Sequence, residues 1–504
     1  KGIYKYLSKS TFDAKFNGCY VSRENDGSID IHHVNKIAHV KNANLSKLNV
    51  ISDIWDGFVN VPTKSGDCGS VLISNTTYGK IIVGMHVMGL NNRCVALSLD
   101  KDFFDIILKK NSSFIIQSHS PLLSAPSAPR AIGDLHKKSP IRYINSGTAE
   151  VYGSYTGFRG KPKSRVEHTP MLRLLQPHGY KLTCGKPEMT SWEPWRIALM
   201  DMVKPICTID NDILVKISNT FLNDILNGLG DTDYDMLHVY DDVTTLNGAP
   251  GVSYVDKINR NTSAGAPWKR GKRFFMKPIP AIGDLLDPVE LDVEIIDRVN
   301  TIINQYHNDE RYSPVFTAHL KDEAVSFEKV ASKKTRVFTG APVDFSFVVR
   351  KYLLSFVRLV QNRRYLFESA PGTIAQSLEW SKMYTYITQF GEDRMIAGDY
   401  RKFDKTMPPT FMLAAFDIIC EILIKSGNYS DDDIKVVRGI AIDTSYPMVD
   451  FNGDLIQFYG SNPSGHPLTV IINGLANCLY MRYTYYLLNP DKESESFKKN
   501  VSLM

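Results

Sequence analysis

The chain has 504 residues, 43% of them hydrophobic and 22% charged. These are ordinary globular proportions that exclude a wholly disordered protein. Lys plus Arg number 59 against 54 Asp plus Glu, a net charge of +5, which argues for a nucleic-acid partner only where the basic residues cluster. Seven cysteines without a CxxC pair exclude a disulfide scaffold and a Cys-rich zinc site, and suit a reducing, cytosol-like compartment.

In chain order, residues 1–110 read as β-rich. Short apolar runs at 71–73, 81–83 and 95–97 alternate with Gly, Asn and Asp clusters. Residues 111–130, rich in Ser and Pro, read as a linker. Residues 131–504 read as a large α/β module. Helical periods are expected at 285–306, 345–365 and 410–425. A strand is expected to end at Ile396-Ala-Gly-Asp399, and a hairpin to turn at Asn452-Gly453. The apolar stretch 467–487 carries Asn473, Asn477 and Arg482 and reads as a buried helix rather than a membrane span. The start at Lys1 and the apolar stop at Met504 are expected to be cuts in a longer chain.

The first constellation is Gly66-Asp67-Cys68-Gly69-Ser70, with Gly84-Met85-His86-Val87-Met88-Gly89 following. Flanking glycines permit a tight turn that aims backbone N–H groups at an oxyanion beside a thiol nucleophile. A buried Cys in a Gly-rich hairpin accounts for the first motif equally well. The pair resembles the C-terminal barrel of chymotrypsin-like cysteine proteases of picorna-like viruses. The resemblance implies Cys68 as nucleophile, the amides of Gly66 and Cys68 as oxyanion hole, and His86 and Thr63 in a pocket preferring Gln. The family's general-base His lies on the order of a hundred residues upstream. His32 and His33 are too close to Cys68 and read as ordinary surface or core histidines. The base is therefore expected to lie outside this sequence.

The second constellation is Asp399-Tyr-Arg-Lys-Phe-Asp404. Carboxylates at a strand end can hold Mg²⁺, which prefers hard oxygen ligands; a capped, solvated turn is the plainer reading. Downstream, Ser464-Gly465 feeds a helix on which Thr469 and Asn473 share a face. Upstream lie Lys321, Lys329 and Arg336, cations suited to a triphosphate. With Asn261-Thr-Ser-Ala-Gly265-Ala-Pro267-Trp268, these blocks resemble the viral RNA-dependent RNA polymerases of the picornavirus-like supergroup, of marnavirus or dicistrovirus type. The resemblance implies a template and priming loop at Ser263, Gly265 and Pro267, and a triphosphate grip by Lys321, Lys329 and Arg336. Asp399 would bind the metal. Asp404, Ser464, Thr469 and Asn473 would read the ribose 2′-OH. The family's Gly-Asp-Asp motif is missing, and residues 497–504 are expected to form the first strand of its hairpin.

Between these blocks, residues 268–277 hold five cations and three aromatics, a composition suited to single-stranded RNA. Lys269, Arg270, Lys272 and Arg273 are the expected contacts. Gln117-Ser118 is a candidate protease junction.

The expected architecture is a chymotrypsin-like β-barrel half, followed by right-hand polymerase fingers and a partial palm. The implied function is template-directed RNA synthesis with a protease part. A reverse transcriptase-like nucleotidyltransferase and an inactive RNA-binding fragment are the alternatives. The implied cofactor is a pair of Mg²⁺ ions, and the implied partners are RNA template and primer, nucleoside triphosphates, the viral polyprotein and other replication proteins. The implied place is host cytoplasm at membrane-associated replication complexes.

Overall fold

The computed structural model describes residues 6–8, 15–23, 29–45, 50–63, 68–76, 79–90, 92–102, 149–154, 162–203 and 209–504. The chain forms two compact units, Lys1–Gln117 and Ser118–Met504. The linker 111–130 and the Gln117-Ser118 junction lie outside the described residues.

The first unit is a closed barrel in the order β1-β2-β3-β6-β5-β4. Its strands are β1 (Phe16–Arg23), β2 (Ile29–Leu45), β3 (Val50–Val59), β4 (Val71–Thr76), β5 (Gly79–Leu90) and β6 (Arg93–Ser98). Closure between β1 and β4 leaves no free sheet edge. Tyr20, Val34, Trp55, Leu72, Val83 and Ala96 fill the interior. The three apolar runs expected to be strands fall in β4, β5 and β6.

The second unit is built on a five-stranded sheet, β13-β11-β14-β15-β7. It comprises β7 (Ala149–Ser154), β11 (Val315–Leu320), β13 (Val337–Gly340), β14 (Met448–Phe451) and β15 (Asp454–Phe458). Only β11 and β14 run parallel. Two ribbons flank it: β8 (Cys184–Gly185) with β12 (Val325–Ser326), and β9 (Met276–Pro278) with β10 (Val289–Leu291). The β14–β15 hairpin turns where expected, with Asn452 at φ 56° and Gly453 at φ 93°, the positive pair that a two-residue turn requires.

Among the described residues, eight helices have ten or more residues: α1 (Glu193–Met202), α2 (Asn211–Gly228), α3 (Val293–His307), α4 (Val343–Asn362), α5 (Leu378–Ile387), α6 (Pro409–Ser426), α7 (Asp431–Ser445) and α8 (Thr469–Leu488). Helix α8 buries Ile471, Ile472, Leu475, Cys478 and Leu479, as expected of residues 467–487. Among the described residues no helix is long and apolar enough to cross a membrane.

Three expectations are corrected. The helix expected from 285 begins only at Val293, because 289–291 pair as β10 and Asp292 caps the helix by accepting from Glu294 N–H. Asp284, Asp287 and Asp292 therefore lie off the helix, and Asp297 sits on its exposed face. Residues 395–400 have no regular structure, and Ile396 is 97% exposed. A strand needs a ladder partner for its backbone groups, and among the described residues none pairs with this segment. Residues Phe497–Asn500 are helical rather than extended. Phe497 is buried there, with its ring edge-on to Tyr485 and under the Arg482 guanidinium.

Candidate active sites

In the barrel, Cys68 is exposed and its Sγ lies 3.2 Å from the Val87 carbonyl. The register between β5 and β6 shifts between His86 and Met88. Such an irregularity frees backbone groups of the bulged strand from the ladder. The Gly69 N–H donates to His86 O, and His86 N–H to Ser70 O, both at 2.8 Å, so the Cys68 turn is laced to the His86 strand. The His86 ring is 1% exposed, with Nδ1 3.2 Å from Cys94 Sγ. It stacks on Tyr20 at 5.3 Å, and Tyr20 stacks on His32 at 4.4 Å. His32 is thus an aromatic packing partner. Thr63 belongs to the same corner: a Cβ on Gly89 would lie 1.6 Å from Thr63 Oγ1, so the glycine leaves room for the Thr63 side chain. Gly66 lies outside the described residues.

In the second unit the local pairing explains the cation cluster. The β11–β13 ladder ends at Leu320 opposite Val337, and Lys321 N–H donates to Arg336 O at 2.8 Å. Lys321 and Arg336 therefore leave the ladder side by side, and both reach Glu323, at 2.8 and 3.4 Å. That contact holds the Glu323 carboxyl below its ordinary range. Lys329 stands on the short helix Phe327–Ala331, capped by Ser326.

Opposite them, the Ser464-Gly465 loop docks on the outer edge of β13. Gly465 N–H donates to Thr339 O at 2.7 Å, Ala341 N–H to Gly465 O at 3.1 Å, and Thr339 N–H to Ser464 Oγ at 3.3 Å. A Cβ at position 465 would meet Thr339 O at 2.6 Å, which explains glycine there. Asn462 Nδ2 donates to Asn473 Oδ1 at 2.9 Å, leaving the Asn473 NH₂ as the donor offered to a ligand. The Thr469 hydroxyl donates to Pro463 O at 2.6 Å and His466 O at 2.8 Å; it braces the loop. His466 is buried, accepts from Leu468 N–H at 3.2 Å through Nδ1, and has Nε2 3.4 Å from Thr444 Oγ1. Burial pushes its imidazole down to about 3.

One cavity of about 1150 Å³ is lined by all eight residues expected at the nucleotide site: Lys321, Lys329, Arg336, Asp399, Asp404, Ser464, Thr469 and Asn473. Lys334, in the same basic run as Arg336, shares it, as do Asp201, Glu323, Arg401, Lys402 and Lys405, which sequence reasoning did not assign to the site. The lysine-rich neighbourhood of Asp404 was legible in Arg401, Lys402 and Lys405. Asp201 gave no signal, since it lies on α1, far from any motif. Burial holds the Lys405 ammonium below its usual range, against the pull of Asp404 and Asp201. Asp399 is exposed, with no ion pair among the described residues. A hard carboxylate facing a cation-lined cavity fits a divalent ion as one ligand, with phosphate oxygens and water completing the shell. Among the described residues no cluster of three or more His, Cys, Asp or Glu could hold a metal by itself.

The template-loop residues do not line that cavity. Residues 262–272 form a small closed loop: Ala264 N–H donates to Arg270 O at 2.6 Å and Lys272 N–H to Thr262 O at 2.9 Å. Ser263, Pro267, Arg270 and Arg273 are exposed, and Gly265 is buried. Lys272 Nζ bonds Thr262 Oγ1 at 2.8 Å, and burial beside Arg350 lowers its pKa. Lys269 Nζ is held by Asp450 at 2.6 Å. Its ammonium is thereby paired with a carboxylate of the sheet, with 34% of the side chain still exposed.

Residues 186–504 match the family model of the viral RNA-dependent RNA polymerase, and residues 1–90 match that of the 3C cysteine protease, picornain 3C. The chain is 24% identical to the RNA1 polyprotein of cowpea mosaic virus (strain SB), over 88% of this chain and 23% of that polyprotein. It is 25% identical to the replicase polyprotein of acute bee paralysis virus (strain Rothamsted), over 88% of this chain and 24% of that one. It thus spans about a quarter of the length of these relatives. The fold is similar to the Sicinivirus 3Dpol RNA dependent RNA polymerase, with a TM-score of 0.52, 19% identity and 68% of each chain covered. The relatives are replicase polyproteins of dicistrovirus and picorna-like type, which favours RNA polymerase over the reverse transcriptase alternative. With the larger match covering more than half of it, the chain belongs to the viral RNA-dependent RNA polymerase family and carries a 3C cysteine protease region before it.

Proposed function

We propose that the second unit extends an RNA primer on an RNA template from ribonucleoside triphosphates. The observation that carries this is the single cavity joining Asp399 and Asp404, Lys321, Lys329 and Arg336, and the Ser464–Asn473 loop. The cations bind the triphosphate oxygens and offset their charge. The Asn473 NH₂ and Asp404 read the ribose hydroxyl, and Asp399 is the carboxylate that holds a divalent ion, proposed as Mg²⁺. When bound, that ion polarises phosphoryl oxygens and lowers the pKa of an attacking hydroxyl. Ser263, Gly265 and Pro267, with Arg270, Lys272 and Arg273, form the proposed template surface.

For the barrel, the proposal is thiol-dependent cleavage of the viral polyprotein. Cys68 is the nucleophile, the Gly66 and Cys68 amides form the oxyanion hole, and His86 and Thr63 line a Gln-preferring pocket. The proposed setting is a replication complex in host cytoplasm, at membranes and with other viral replication proteins.

The deciding test is Asp399→Ala in the replicase polypeptide that contains this sequence. Incorporation of ribonucleotides should fall by at least about a hundredfold while filter-bound RNA is retained. Near-normal turnover would remove Asp399 from the metal site. A preference for deoxynucleotides would favour another class of palm nucleotidyltransferase, and salt-dependent RNA binding without incorporation would favour a binding module.

A further inference from the structure

We propose that Asp201 is a positioning residue that fixes the Asp399–Asp404 turn through Lys402, and so sets ribose selection. Three observations carry it. Asp201 is buried at the end of α1 and opens on the same cavity as the turn. Its carboxylate lies 2.5 Å from Lys402 Nζ. Lys402 is the turn's left-handed residue, at φ 62°, a conformation that a long side chain adopts only when its surroundings hold it there.

Lys402 is also the hub of the turn's backbone. Its carbonyl accepts from Lys405 N–H at 3.0 Å, Thr406 N–H at 3.2 Å and Thr406 Oγ1 at 3.1 Å. One ion pair thus reaches from a helix some two hundred residues upstream into the centre of the segment between the two functional carboxylates. Releasing Lys402 would free the turn to relax toward an ordinary conformation, moving Asp404 relative to Asn473 and Asp399 relative to the cations. The lysine side of the ion pair is 32% exposed, so its worth lies in geometry more than in stability.

The inference rests on the nucleotide reading of the cavity, and its test separates the two. Asp201→Asn keeps the shape and removes the charge. Amide hydrogen exchange of the full chain should speed up at residues 402–406 while α8 is unchanged. Equilibrium dialysis should show the preference for ATP over dATP falling roughly tenfold, with total triphosphate affinity changing less. Asp201→Glu, which retains the charge, should restore part of the preference. Unchanged exchange at 402–406 would overturn the proposal. Faster exchange with an unchanged ATP-to-dATP ratio would also overturn it, by leaving a merely structural role. If the unsubstituted chain shows no ATP preference while the exchange difference stands, the ribose-selection part falls with the nucleotide reading, and the clamp alone survives.

Discussion

Lys269 and Asp450 meet at 2.6 Å, the lysine projecting from the 262–272 loop and the aspartate standing on β14 with a 4% exposed side chain. The same carboxylate accepts from Gly453 N–H at 2.7 Å, so it both shapes the β14–β15 turn and receives the loop. A basic residue that composition assigns to RNA is thereby a tie between the 262–272 loop and the sheet.

Lys269→Ala would leave the Asp450 carboxylate buried with its main counter-charge gone. Because Lys269 itself is partly exposed, the expected loss is about 1–3 kcal/mol rather than the full cost of breaking a buried pair. Urea unfolding would measure it. The double variant with Asp450→Asn should be less than additive; full additivity would show that the two groups do not interact.

Asn473→Ala should erode ribose selection. Its amide orientation is fixed by Asn462, and its NH₂ is the donor on the α8 face of the cavity. The expected change is a roughly tenfold loss of ATP preference over dATP, since a site built to bond a hydroxyl discriminates through that bond. Competitive binding measures it, and Asn462→Ala should produce a weaker version of the same change.

The buried His466 gives the loop an acid limit. Its folded pKa lies below the ordinary value of 6.5, at about 3, so the neutral ring is favoured in the fold. The stability it confers is complete above about pH 6.5 and is lost as pH falls toward 3. By pH 4 the loss should reach about 1–3 kcal/mol. His466→Asn should be less stable than the parent at pH 8, yet show a flatter pH dependence in urea unfolding. Equal slopes for both would assign the acid sensitivity elsewhere.

Cys68 should be the thiol that reacts first with a Gln-bearing electrophile. Cys94, Cys420 and Cys478 are buried and Cys184 is exposed, so exposure alone predicts labelling of both Cys68 and Cys184. A Gln-dependent excess at Cys68 in peptide mass mapping supports the pocket reading; equal labelling of the two would sink it.

Much of the cavity lining was legible in the linear chain because each motif carries its own local geometry. Ser464-Gly465 names a loop that only glycine lets approach β13, and Thr469 with Asn473 names one helix face. The barrel strands and the Asn452-Gly453 turn were legible for the same reason, that their period and turn chemistry are local. Three features were not. The fate of 395–400 and 497–504 depends on whether a ladder partner or a packing surface meets them, which is a property of the neighbours. The roles of Lys269 and Lys402 depend on carboxylates that fold in from distant segments. Glu323 lay in plain sight beside Lys321, but its bridging of Lys321 and Arg336 needed the β11–β13 register.

The sequence by itself determined the family, the order of the motifs and the identity of eight residues that line the cavity, because spacing along one strand, turn or helix fixes which side chains share a face. Only the tertiary structure decided which charges are free to meet a ligand and which are committed to the fold. An ammonium's partner is set by through-space distances of a few ångströms, and no local pattern encodes those distances. The +5 balance of the chain therefore says little about RNA. Lys269 and Lys402 are ion-paired within the fold, while Arg270 and Arg273 remain exposed.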